Sequence, residues 1–160
     1  MIFVTVGSQK FQFNRLLKKI DELIESGDIK EEVFAQIGVS DYTPKNYNYK
    51  DFVTQDEFKE YMDKADLIIT HAGTGAIVTA LKKDKKVIAI PRLSEYGEHV
   101  DDHQIQLIDE FKEMNFIEPV YQIDELKLAI KNVREKTYNK YKSNTQKILD
   151  DIELFIEERG

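Results

Sequence analysis

The sequence predicts an α/β fold, a parallel sheet with helices on both faces, on three observations. Short apolar runs of Val, Ile and Phe alternate with longer segments whose apolar residues recur at helical spacing. The runs are near-continuous rather than polar-alternating, as in strands buried on both sides. The length of 160 residues suits one domain, enough to bury roughly 70% of the surface its unfolded chain exposes.

The elements follow in order. Residues 2–6 read as a buried strand closed by Gly7-Ser8, and Phe13, Leu16, Leu17, Ile20, Leu23 and Ile24 mark a helix that Gly27-Asp28 stops. Residues 32–37 form a second strand ending at Gly38, and the polar stretch 40–49 with Pro44 is a loop. A short third strand is expected over 50–53. Thr54 with Glu57 fits a capping box for a helix carrying Phe58, Tyr61, Met62 and Ala65. Residues 66–70 make the central strand, and Ala76, Ile77, Ala80 and Leu81 line the next helix. A strand over 87–90 is stopped by Pro91. After a polar loop, Asp101 or Asp102 is the expected N-cap of a helix with Ile105, Leu107, Ile108 and Phe111. A short strand over 116–120 and a helix capped by Asp124 and running to about 133 come next. The seam Tyr138, Tyr141, Thr145, Ile148, Leu149, Ile152, Phe155 and Ile156 predicts a terminal helix over about 138–158.

Composition removes several function classes. With no cysteine, disulfide, thiolate and Cys-zinc chemistry are out. The formal net charge of -7 argues against wide nucleic-acid contact, which needs clustered Lys and Arg. Apolar runs such as Val87-Ile88-Ala89-Ile90 are too short to span a bilayer, and a cytoplasmic location is expected.

In a parallel sheet, ligands bind at the carboxyl ends of the strands. The run Leu67-Ile68-Ile69-Thr70-His71-Ala72-Gly73-Thr74-Gly75-Ala76-Ile77 ends there in a glycine turn and a helix start, which suits a diphosphate. A tight strand-to-helix turn with glycines chosen only for their backbone freedom is the plainer alternative. Val78 stands where the dinucleotide fingerprint has its third glycine, and no Gly-Lys-Ser/Thr follows, so dinucleotide oxidoreductases and P-loop ATPases are demoted.

Phe52-Val53-Thr54-Gln55, the run from Ala65 to Gly75, Pro91, and Asp102-His103-Gln104, in that order and spacing, resemble the donor-binding half of GT-B glycosyltransferases. The likeness extends to the C-terminal domain of the peptidoglycan N-acetylglucosaminyltransferase and to the soluble subunit of the two-part transferase acting on dolichol-linked N-acetylglucosamine. Split bacterial capsule and exopolysaccharide transferases look more similar still. Val4-Thr5-Val6-Gly7-Ser8-Gln9 and Phe13-Asn14-Arg15-Leu16-Leu17 match the start of that soluble subunit, and the resemblance covers residues 1–117.

The resemblance implies a Rossmann-like single GT-B half holding a UDP-sugar. Phe52 would stack on uracil and the Val53 backbone pair its edge, with Gln55 near the ribose; Phe52 is equally a buried strand-end residue and Gln55 an ordinary first-turn residue. His71 would be the catalytic group on the diphosphate, cradled by Gly7, Ser8, Gly73, Thr74, Gly75 and Ala76. Asp102, His103 and Gln104 would read sugar hydroxyls, or merely cap a helix. Thr79 stands where relatives place a ribose-gripping glutamate. His99 and His103 have metal-ligand spacing, but sugar contact is favoured and neither a metal nor a cofactor is expected. The implied activity is inverting transfer of galactose or N-acetylglucosamine to a lipid-linked glycan. A membrane-associated acceptor-binding partner would recruit the chain to the inner face of the membrane, the terminal helix docking that partner or a second copy. A non-catalytic nucleotide-sugar-binding scaffold and a split epimerase are the other readings.

Overall fold

The computed structural model describes residues 1–7 and 10–141. Among them, six strands form one sheet: β1 (Ile2–Thr5), β2 (Val33–Gln36), β3 (Asn48–Lys50), β4 (Leu67–His71), β5 (Lys86–Ile90) and β6 (Glu118–Pro119), in the order β3-β2-β1-β4-β5-β6. Every pairing is parallel. The helices are α1 (Asn14–Glu25), α2 (Gln55–Lys64), α3 (Thr74–Lys82), α4 (His103–Glu113) and α5 (Leu126–Glu135).

The two-residue period of a strand sorts the apolar runs into two cores. Ile2, Val4, Ile69, Ile88 and Ile90 face α1 through Leu16, Leu17 and Ile20, and α5 through Leu126, Ala129 and Val133. Phe3, Ile68, Val87 and Ala89 face the other way, onto Met62 of α2, Ile77 and Ala80 of α3, and Leu107, Ile108 and Phe111 of α4. Each fully buried Leu or Ile contributes roughly 1.5–3 kcal/mol, so helices on both sides are what the central runs require. The helix after β1 goes to one face and the helix after β4 to the other, which opens a crevice between the carboxyl ends of these adjacent strands.

Four expectations are corrected. The third strand lies over Asn48–Lys50 rather than 50–53, since this exposed edge strand carries no apolar run. Asp124 caps no helix; it sits inside a 3-10 turn, Ile123–Glu125, closed by a reciprocal box between Gln122 and Glu125. Of the strand expected over 116–120, Glu118–Pro119 is paired, Phe116 and Ile117 being packed in the core instead. Residues 138–141 are not helical: Asn139 N–H donates to the Asn115 carbonyl at 2.8 Å and the Tyr138 hydroxyl to Glu118 at 2.7 Å. The remainder of the expected terminal helix, with Leu149, Ile152, Phe155 and Ile156, lies outside the described residues. Among the described residues no helix is long and apolar enough to cross a membrane.

Candidate functional site

A cavity of roughly 750 Å³ opens at the carboxyl ends of the strands, a size suited to a small-molecule ligand. Its walls follow the sheet order: Val53, Thr54, Gln55 and Phe58 beyond β3, Gln36 on β2, Thr5 and Gly7 on β1, His71 and Ala72 with the start of α3 beyond β4, and residues of the β5–α4 loop opposite. The capping box expected at Thr54 is present, Thr54 Oγ1 accepting from Glu57 N–H at 3.1 Å and Glu57 Oε1 from Thr54 N–H at 3.1 Å.

The centre of the site is the His71 imidazole, 5% exposed. A Cβ on Gly73 would lie 2.3 Å from its Cε1, and one on Gly7 2.5 Å from its Nε2. Glycine at both positions is what lets the ring lie there, and Gly7 also has φ +75. Burial, then the nearby Arg92 cation and His99, push the imidazole down to about 3, so it is neutral near pH 7. The surrounding bonds set its tautomer. Gln104 Oε1 accepts from Arg92 N–H at 2.9 Å, which turns the amide nitrogen of Gln104 toward His71 Nδ1 at 3.5 Å. An amide NH₂ only donates, so Nδ1 accepts and Nε2 carries the proton. Nε2 has no protein partner among the described residues.

A second set of donors stands beside it. Helix α3 starts at Thr74 with Gly73 as N-cap and no side-chain cap. The N–H groups of its first turn therefore lack intrahelical acceptors and carry the positive end of the helix dipole. Nothing lies within 4 Å of a Cβ built on Gly75, which leaves room at this helix start. A neutral N–H donor and a helix N-terminus on one wall form a site for a phosphate or another anion.

The opposite wall is fixed by a buried charge. Arg92, fully buried, donates to the carbonyls of Phe11 at 3.1 Å, Gln12 at 3.2 Å and Glu98 at 3.3 Å, and to that of Val6. Glu98, also fully buried, accepts from Arg15 at 3.0 and 3.1 Å and from Leu93 N–H at 3.0 Å. Burial lowers the Arg92 guanidinium to about 10, with Glu98 opposing the shift, so it stays charged. In the same loop Asp101 stands between two imidazoles, 3.3 Å from His99 and 3.4 Å from His103.

Of the residues expected in the donor site, Gly7, Val53, Gln55, His71, Gly73, Thr74, Gly75, Ala76, His103 and Gln104 line the cavity. Ser8 lies outside the described residues. Three expected contacts are placed elsewhere. Phe52 stands outside the lining, 51% exposed, in the link between β3 and α2. Thr79 Oγ1 donates to the Gly75 carbonyl at 2.7 Å, a bond within its own helix. The Asp102 carboxylate accepts from Ser94 N–H at 2.9 Å and Ser94 Oγ at 3.1 Å; it tethers the loop, and Asp101 rather than Asp102 receives the His103 N–H at 3.0 Å. Gln36, Thr5, Phe58, His99 and Asp101 line the cavity without having been singled out for it. Gln36 and Thr5 are the last residues of β2 and β1, so the rule that ligands bind at strand ends could have found them, while the signal for Arg92, a cation directly after Pro91, is weak.

The sequence matches the family described as Glycosyltransferase family 28 C-terminal domain over residues 1–158. It is 32% identical over 81 residues to the UDP-N-acetylglucosamine transferase subunit ALG13 of Candida albicans, covering 51% of this chain and 26% of that protein. The chain thus spans about a quarter of the length of this relative. Among solved structures, the glycotransferase of kitacinnamycin superimposes with a TM-score of 0.63 at 15% identity, over 99% of this chain and 40% of that one. An NMR structure of ALG13 does so with a TM-score of 0.57 at 20% identity, over 87% of each chain.

Proposed function

The chain belongs to the glycosyltransferase family 28 C-terminal domain family, and we propose that it is the donor-binding and catalytic subunit of a two-chain inverting UDP-sugar glycosyltransferase. The single observation that carries this reading is the convergence of His71 Nε2–H and the uncapped start of α3 on one wall of the cavity. There the diphosphate of the donor is held. The acceptor hydroxyl attacks the anomeric carbon from the face opposite the diphosphate, the bond from that carbon to the β-phosphate oxygen breaks, and UDP leaves with the electron pair. Charge grows on the leaving oxygen as the bond breaks, and a fixed N–H donor stabilises it most at that point. The hydroxyl proton passes to a base supplied with the acceptor by the partner chain.

The sugar is N-acetylglucosamine or galactose, the former supported by the names of the curated relatives. The acceptor is a lipid-linked glycan of capsule or exopolysaccharide synthesis. The chain works in the cytoplasm, and a membrane-associated partner brings it to the inner face of the membrane. UDP release, measured with UDP-N-acetylglucosamine and UDP-galactose in the presence of membranes carrying the product of the neighbouring gene, tests the proposal. Turnover that requires both chains and is lost in His71→Ala is the expected result. One observation favours a non-catalytic nucleotide-sugar-binding subunit instead: the Thr79 hydroxyl is committed to its own helix. UDP binding without turnover under any pairing would establish that second reading.

A further inference from the structure

We propose that Gln36 contacts the ribose of the bound nucleotide, an inference that rests on the UDP-sugar reading and assigns a further part of the donor to this cavity. Gln36 ends β2 and is 6% exposed, yet it lines the cavity. Its Oε1 accepts from Thr5 Oγ1 at 3.3 Å, and Thr5 Oγ1 itself accepts from Gly7 N–H at 3.3 Å. The hydroxyl gives its single proton to Gln36 while its oxygen accepts from Gly7. The amide orientation is thereby set, with Nε2 and its two N–H groups on the other side. Among the described residues Nε2 has no acceptor. A buried amide donor held in place by its own oxygen and left open toward a cavity is a contact awaiting a ligand.

The sheet order says which part of the ligand that is. From the Val53–Phe58 wall beyond β3, the strands run β2, β1, β4. Gln36 is one strand in from that wall and two strands, about 10 Å at ordinary strand spacing, from the end of β4 where His71 stands. A nucleoside diphosphate with its phosphates at His71 and α3 and its base against the Val53–Phe58 wall lays its ribose over β2. Ribose hydroxyls accept as well as donate, which matches an amide N–H. The hydroxyl of Thr79, turned into α3, does not compete for this place.

Calorimetric titration of the wild-type chain, Gln36→Met and Gln36→Glu with UDP, 2′,3′-dideoxy-UDP and inorganic pyrophosphate tests the assignment, with thermal melting as the check on folding. The wild type is expected to prefer UDP over the dideoxy ligand by about 5- to 10-fold, the worth of one buried hydrogen bond. Gln36→Met should lose that preference and keep its pyrophosphate affinity within about twofold. Gln36→Glu retains an acceptor for Thr5 and accepts from a ribose hydroxyl, so it should keep the preference even if the Met variant does not fold. Equal affinity of the wild type for UDP and its dideoxy analogue overturns the proposal, as does a Met variant that weakens pyrophosphate as much as UDP. A wild type that binds no UDP overturns the UDP-sugar reading with it, whereas UDP binding indifferent to Gln36 leaves that reading standing and removes only this one.

Discussion

Replacing Gly73 with Ala separates what the two glycines of the turn do. The backbone at Gly73 has φ -91, which any residue adopts, so the substitution brings no backbone strain. Its Cβ would fall 2.3 Å from His71 Cε1 and 2.5 Å from Nε2. Relaxed carbon–carbon contacts lie at about 3.5–4.0 Å, so the imidazole has to retreat by about 1 Å. Overpacking of this kind costs about 1–3 kcal/mol, partly offset by the reduced freedom of the unfolded chain, about 0.4–1 kcal/mol. The net loss, up to about 2.6 kcal/mol, lowers Tm by up to roughly 10 °C at this chain length. A 1 Å displacement of the reacting geometry should also reduce kcat by up to about 100-fold. Gly75→Ala is the control, since nothing lies within 4 Å of its Cβ. It should melt no lower than wild type, because Ala favours a helix over Gly by up to about 1 kcal/mol, and yet bind UDP less tightly as the methyl enters the diphosphate space. Thermal melts and UDP titrations of both variants decide the matter. A Gly73→Ala variant with wild-type Tm and turnover refutes the sandwiched imidazole, and a Gly75→Ala variant with wild-type UDP affinity removes the phosphate from the start of α3.

Four further outcomes are expected. His71→Ala should lower kcat by about 100- to 1000-fold, the usual worth of one donor to developing charge, with a smaller change in KM; a change in KM alone would contradict the role. His71 should also shape stability against pH: its folded value near 3 lies below the ordinary 6.5, so between these values the unfolded chain binds a proton that the folded chain does not. Stability from this group is then complete above about pH 6.5 and falls by up to about 1.4 kcal/mol per pH unit toward pH 3. Urea melts of His71→Gln should have a shallower slope through that window, and identical slopes would refute the assignment. Arg92→Met leaves four main-chain carbonyls without a donor and Glu98 buried beside one cation fewer, for a loss of about 3–5 kcal/mol in urea melts; a loss below about 1 kcal/mol would show that solvent replaces the guanidinium. Thr79→Glu frees the Gly75 carbonyl and points a carboxylate outward from α3, and should tighten UDP binding; unchanged affinity in a titration would mean that the ribose does not reach this helix.

The buried strands were readable because each is an apolar run longer than any loop tolerates, and the Thr54 box because its partners are three residues apart. β3 was misplaced for the opposite reason: Asn48, Tyr49 and Lys50 are all exposed and are held by the Phe34–Gln36 backbone, which leaves no trace in their side chains. The glycine turn was recognised, but its division of labour was not. Gly73 serves the imidazole, a contact visible only once Gly7 and His71, 64 positions apart in the chain, are brought together across β1 and β4. The roles of Arg92 and Gln36 leave no local sign because their partners, Val6, Phe11 and Gln12 for the one and Thr5 for the other, are remote in sequence. Asp102 does hold the N-cap position of α4, as the sequence suggests, but its side chain makes no cap bond; the carboxylate turns back to Ser94, a tether that local sequence does not reveal.

The Arg92 guanidinium has a consequence for the timing of binding. By gripping Val6, Phe11 and Gln12 on one side and Glu98 on the other, it ties the end of β1 and the approach to α1 to the loop after β5 before any ligand arrives. A ligand entering between these tied segments loses little affinity to ordering them. The encounter should then be a fast, single-step event whose rate is insensitive to viscosity-dependent loop closure. On the two-chain reading proposed above, the slow step of turnover then falls to the approach of the acceptor-bearing chain to this wall.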